Sequence, residues 1–187
     1  MVKKKVKVEK VEIKKKIKAV LERERVTAEI SDESTLLFDK SRFGERVGER
    51  YQYSFVEGLF LLDTKRMDIK DGKGKKVKVE DFINKVRRFE KDFWVRYCVF
   101  KDLRSRGYVV KTALKFGADF RVYDRGVKPG EDHAKWIVYP VSESESPTWF
   151  EFAAKNRVAH STRKRLLIGV VDDESEVSYW VVNWIRP

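Results

Sequence analysis

Lysine alternates with valine and isoleucine through residues 2–26, as in Val2-Lys3-Lys4-Lys5-Val6-Lys7-Val8. A period of two predicts strands with one solvated lysine face. A charged edge strand that resists aggregation is the commoner use of such a segment; an RNA-binding arm is the sharper one. Val26 to Phe38 reads as further strand, broken around Ser31-Asp32-Glu33-Ser34. Ser54 then opens a helix: Glu57 stands three residues on, completing a capping box ahead of Leu59, Phe60, Leu61 and Leu62. Asp71-Gly72-Lys73-Gly74-Lys75-Lys76 is a turn, and a second helix is predicted near Val79–Phe89. A third runs from about Glu90 to Arg106, with Phe93, Tyr97, Phe100 and Leu103 at helical spacing and Gly107 as its C-cap.

The pattern changes after that helix. Tyr108–Thr112, Ala118–Asp124, Ala134–Val141, Arg165–Val171 and Val177–Ile185 are short strand patterns, interrupted by a short helix near Thr148–Lys155. The expected fold class is α+β: a small N-terminal α+β domain over residues 1–89, then a C-terminal α/β domain over residues 90–187 around a mixed sheet. No repeat has solenoid spacing, and only Ser142-Glu143-Ser144-Glu145-Ser146 is of low complexity.

Composition adds a partner class. Among 187 residues, 42 Lys and Arg face 30 Asp and Glu, a formal charge of +12. Such an excess favours a polyanion, because neutralising phosphates releases condensed counterions, although solubility alone is the plainer explanation. The single cysteine, Cys98, excludes an internal disulfide and falls in an apolar helical stretch, so a buried thiol is expected. No apolar run approaches the ~20 residues that span a bilayer, and the start of the chain is too charged for a signal peptide. A soluble, cytoplasmic protein without membrane partners is the expectation. Charged residues reach 39% while Asn occurs only at 84, 156 and 183 and Gln only at 52, a bias that suits work at high temperature.

Histidine chemistry falls to His133 or His160, the only two. In Ala118–Asp124, strand alternation sets Phe120 and Val122 on one face and Asp119, Arg121 and Tyr123 on the other, so Tyr123 is expected on the polar face at a strand end. The loop Arg125-Gly126-Val127-Lys128-Pro129-Gly130 leads from there to His133. A tyrosine and a histidine at the two lips of one loop suit proton removal and donation around one phosphate. Read by itself, the pair is more commonly a tyrosine capping a core edge and a surface histidine. Farther on, His160-Ser161-Thr162-Arg163-Lys164-Arg165 sets cations at the mouth of a buried strand, where a lysine can stabilise a pentacoordinate phosphate. A charged flank to a hydrophobic strand is the plain alternative.

Several segments together carry a family resemblance. The run Lys101-Asp102-Leu103-Arg104-Ser105-Arg106-Gly107-Tyr108-Val109-Val110-Lys111-Thr112, then Lys115-Phe116-Gly117-Ala118-Asp119-Phe120, then Tyr123, His133 and Arg157-Val158-Ala159-His160-Ser161-Thr162-Arg163-Lys164, closely resembles the archaeal-type tRNA-splicing endonuclease. The resemblance spans roughly residues 97–187 and is weaker over the first half, where Ser54-Phe55-Val56-Glu57-Gly58-Leu59 is compatible with it. It implies a restriction-endonuclease-like catalytic domain. Tyr123 would be the general base at a ribose 2′-hydroxyl, His133 the acid at the leaving 5′-oxygen, and Lys164 the stabiliser of the transition state. The products would be a 2′,3′-cyclic phosphate and a 5′-hydroxyl, with no metal and no cofactor. The substrate would be a precursor tRNA or other RNA carrying a bulge–helix–bulge, and Arg157 would stack on a bulge base. His160 matches no family role and is read as structural.

Assembly is expected as well. The last strand is apolar on both faces, with Trp180, Val182 and Trp184 on one and Tyr179, Val181 and Ile185 on the other, which suggests pairing across a subunit interface. The acidic turn Asp172-Asp173-Glu174 resembles a family loop that enters a basic cleft of a neighbouring subunit; without the resemblance it is an ordinary hairpin turn. A homotetramer is the first expectation and a heterotetramer with a non-catalytic subunit the second. The N-terminal domain is expected to support assembly. Rival readings are a non-catalytic RNA-binding subunit, a basic scaffold, and a metal-dependent nuclease. The last would draw on Asp119 and Asp132, but no carboxylate–x–lysine pattern on consecutive strands is evident.

Overall fold

The computed structural model describes residues 12–113, 117–127 and 133–185, and the lysine-rich alternation before residue 12 lies outside them. The chain forms two compact units that divide between Trp94 and Val95.

The first unit holds a five-stranded sheet. Its strands are β1 (Ile17–Leu21), β2 (Val26–Glu29), β3 (Glu45–Val47), β4 (Arg50–Tyr53) and β5 (Met67–Lys70), in the order β3-β4-β2-β1-β5. β1 is parallel to β5, and the other pairings are antiparallel. Residues alternate strictly between buried and exposed along β1, so its lysine face is solvated and Ile17, Ala19 and Leu21 enter the core. The break at Ser31 is not an interruption of a strand. It begins helix α1 (Asp32–Ser41), where the Ser31 and Ser34 side chains cap each other's backbone N–H groups. Leu37 is fully buried, and helical rather than strand spacing carries it inward. Sequence patterning also missed the β3–β4 hairpin, whose three-residue β3 is exposed throughout and has no apolar alternation to read.

Helix α2 (Phe55–Asp63) starts at the capping box of Ser54 and Glu57. Glu57 is nearly buried; one carboxylate oxygen accepts from the Ser54 backbone N–H and hydroxyl, the other from the Gly44 N–H at 3.1 Å. Burial first, and the Glu57 charge second, push the Tyr53 phenol well above its usual range. Gly58 lets α2 approach β2 closely: a Cβ there would stand 2.7 Å from a Val26 methyl. Helix α3 (Val79–Val86) closes the core with Phe82, edge-to-face with Phe55 at 6.2 Å.

The second unit is built on another five-stranded sheet. β6 (Val109–Thr112), β7 (Phe120–Tyr123), β8 (Trp136–Ser142), β9 (Arg165–Val171) and β10 (Val177–Val182) lie in the order β10-β9-β8-β7-β6. Only β8 and β9 run parallel, and helix α5 (Trp149–Ser161) makes the crossover that parallel neighbours require. α5 extends six residues beyond the predicted Lys155, because Thr148 and Glu151 box its start and its inner side packs Ala159 against Ile137, Tyr139 and Leu166. Helix α4 (Phe93–Ser105) covers the opposite face of the sheet: Phe100 meets Phe120 at 5.9 Å, and Gly169 leaves room for Val99. Cys98 is buried in this helix and forms no disulfide. α4 ends on Gly107, at φ 88°, with Tyr108 N–H donating to the Leu103 carbonyl.

β10 is an edge strand, and its outer residues are open: Trp180 is 54% exposed and Val181 49%. Tyr179 is tied inward, its hydroxyl donating to Asp102 at 2.8 Å while Arg106 holds the same carboxylate. The regular strand stops at Val182, short of the predicted Ile185; Trp184 leaves the ladder to meet the His160 ring at 4.5 Å. No helix among the described residues is long and apolar enough to cross a membrane.

Candidate active site

Sheet register brings the predicted residues to one end of the second unit. Val122 of β7, Trp136 of β8 and Arg165 of β9 form one row across three strands. Tyr123 lies one residue beyond Val122, and Lys164 one residue before Arg165, so both stand just past the row on either side of β8. Two strand spacings set their Cα atoms about 10 Å apart. Alternation puts both on the sheet face that α5 covers, opposite to Val122 and Arg165.

The approach to β8 is irregular. The Lys135 N–H donates to the Val122 carbonyl at 2.9 Å, although Val122 already pairs with Trp136. Two residues of one strand therefore face one of its neighbour, which is a β-bulge. Beyond it Tyr123 packs against Ala134 rather than Lys135. His133 comes next, exposed, at the lip of the strand between Tyr123 and Lys164.

Tyr123 corrects one expectation. It is 5% exposed, not on an open polar face, and its ring packs with Val109, Ala134 and Val127. The physical reason is lateral: the face is polar along β7, but the neighbouring strands fill the space around the ring with small apolar groups. A ring so held has few rotamers left.

Lys164 is positioned by how α5 ends. Arg163 adopts the left-handed conformation at φ 55°, the Arg163 N–H donates to the His160 carbonyl and the Lys164 N–H to the Ala159 carbonyl. This double closure turns the chain out of the helix and into β9 within two residues. The Lys164 ammonium donates to the Thr162 carbonyl at 2.8 Å. Arg157 is exposed on the same helix, about two turns before Lys164.

The acidic turn Asp172-Asp173-Glu174 links β9 to β10. Asp172 organises it, accepting from the Ser175 and Glu176 backbones, and the Asp173 N–H donates to Glu143. Of the two carboxylates weighed for a metal, Asp119 pairs with Arg96 at 2.8 Å and Asp132 lies outside the described residues. Among the described residues, no three His, Cys, Asp or Glu side chains gather as a metal site. Tyr139, beneath α5, donates to the Gly117 carbonyl at 3.0 Å, and burial first and Asp119 second push its phenol upward. Sequence reading did not foresee the bulge or the ring cluster it creates around Trp136; without the pairing partner, a bulge has no signature in this segment.

Comparison with known proteins identifies a family for both halves of the chain. Residues 17–83 match the family described as the tRNA intron endonuclease N-terminal domain, and residues 93–179 match the tRNA intron endonuclease catalytic C-terminal domain. A tRNA-splicing endonuclease of Nanoarchaeum equitans is 44% identical over 152 residues, covering 78% of this chain and 97% of that protein. One from Methanothermobacter thermautotrophicus is 37% identical, covering 88% of this chain and 95% of that protein. Another from Pyrococcus furiosus is 35% identical, covering 91% and 97%. With both domains matched and relatives of this identity spanned almost end to end, the chain belongs to the tRNA-splicing endonuclease family of enzymes.

Proposed function

We propose that this enzyme cuts precursor tRNA at bulge–helix–bulge splice sites without a metal, leaving 2′,3′-cyclic phosphate and 5′-hydroxyl ends. The observation that carries the reading is the register that sets Tyr123 and Lys164 on either side of the strand His133 leads into. Tyr123 takes the proton from the ribose 2′-hydroxyl, and the freed oxygen attacks the adjacent phosphorus. The bond from phosphorus to the 5′-oxygen breaks, and His133 protonates that leaving oxygen. Lys164 swings from the Thr162 carbonyl to the phosphate oxygens, where charge accumulates in the transition state. Arg157, exposed on α5, stacks on an unpaired bulge base. The chemistry draws on no cofactor, and the RNA is met in the cytoplasm.

Cleavage of a bulge–helix–bulge RNA by the purified chain in excess EDTA tests this. Full activity with cyclic-phosphate ends is expected. Activity lost in EDTA and restored by a divalent ion would replace this reading with a metal-dependent one.

Two cuts in one substrate call for two sites, and the reading includes a homotetramer. The open apolar edge of β10 supports it, as an exposed edge strand invites pairing. The acidic turn at Asp172, Asp173 and Glu174 supplies a complement to a basic cleft of another copy, and the N-terminal unit supports the assembly. Trp180→Glu puts a charge into that edge. Light scattering should then report a smaller species than the parent; an unchanged mass would remove β10 from the interface.

A further inference from the structure

The bulge before β8 has a second consequence, on the sheet face opposite to Tyr123 and Lys164. Regular alternation would send Lys135 and Trp136 to opposite faces, but a bulge turns both to the same one. The Lys135 ammonium lies 4.5 Å from the centre of the Trp136 ring and 3.0 Å from Asp124. Trp136 meets Tyr108 edge-to-face at 5.6 Å, and the Arg125 guanidinium sits 5.1 Å from the Tyr108 ring centre. Arg165, exposed, is the cross-strand partner of Trp136.

Both rings are only partly buried, so they serve no closed core. Among the described residues, three cations lie around them beside the carboxylate of Asp124, in a chain of charge +12. Partly exposed aromatic rings interleaved with cations are the surface on which unpaired bases stack while phosphates are neutralised. The place matters as much as the composition. Trp136 is in the row next to Tyr123 and Lys164, so an RNA strand that bends around this end of the sheet passes both the reacting groups and the rings.

We infer that Tyr108 and Trp136, flanked by Arg125 and Lys135, form a stacking subsite for an unpaired nucleotide beside the cleaved phosphate. This rests on the RNA-cleaving function proposed above. Trp136 supplies the face on which the base lies, and the bulge at Lys135 aims it.

The test is a binding cycle with full-length protein. The probe is a fluorescent bulge–helix–bulge RNA with 2′-deoxyribose at each cut position, so that it binds without being cut. Each unpaired nucleotide is replaced in turn by an abasic unit. For the parent protein, one abasic position should weaken binding about tenfold, the range of a single base–aromatic stack. Trp136→Leu should lose the same factor on the intact RNA and nothing further at that abasic position. Trp136→Phe, which keeps a ring and guards against misfolding, should recover most of the affinity. If abasic losses multiply with the Trp136→Leu loss at every position, Trp136 is structural and the subsite alone is refuted. If the parent does not bind the RNA at all, the proposed substrate falls and the subsite with it.

Discussion

Replacing His133 with alanine should slow cleavage of a bulge–helix–bulge RNA by about 10²- to 10⁴-fold, the usual contribution of a general acid. In the proposed reaction the leaving 5′-oxygen departs as an alkoxide unless a proton reaches it, and His133 is the exposed residue where the chain leads into β8, the strand between Tyr123 and Lys164. Its exposure predicts that the change leaves the fold intact, since substitutions at exposed positions usually move stability by less than about 0.5 kcal/mol. RNA affinity should be unchanged. The measurement is a single-turnover rate at saturating enzyme, with binding followed in parallel. A rate within a few-fold of the parent would remove His133 from the chemistry. Lost binding with a normal saturated rate would make it a substrate contact instead.

The second large effect concerns stability. Phe82 is fully buried in α3, edge-to-face with Phe55 and 6.3 Å from the Phe93 ring. The ring also stands beside Gly58, where α2 already packs too closely on Val26 to admit a methyl group. Neighbours so constrained cannot collapse into the space that Phe82→Ala would leave. The loss should be about 3–5 kcal/mol, a large part of a typical domain's stability. Calorimetry should show the unfolding midpoint lowered by about 10 °C, and Phe82→Leu should recover much of it. A midpoint that barely moves for Phe82→Ala would mean that this cluster is not the core of the first unit.

How far the sequence alone reached can be judged from particular elements. The capping boxes at Ser54 and Thr148 are local: two side chains three residues apart and the backbone between them settle the helix start. The Gly107 stop is local too, because the left-handed turn favours a residue without Cβ. Lys164 was legible as a cation at the mouth of a buried strand because Leu166 and Leu167 follow at once. Tyr123 was legible as a strand-end residue. Its burial was not, because Val109 comes from the neighbouring strand β6 and Ala134 from the approach to β8, and both are invisible to alternation along β7.

Where the reading failed, contacts beyond the segment itself mattered: Leu37 is buried by the core in one case and a second strand sets the register in the other. Ser31 looked like a break in a strand because Val26 to Phe38 contains β-favouring residues on both sides; the helix wins through its capping bonds and the burial of Leu37. The bulge at Lys135 depends on a second strand, and nothing in Ala134-Lys135-Trp136 by itself announces it. Charge, helix starts, helix stops and the residue types for phosphate chemistry were thus determined by the sequence, since each acts over a few bonds. Which of those residues share one end of one sheet was decided by tertiary structure alone, because register is a relation between strands.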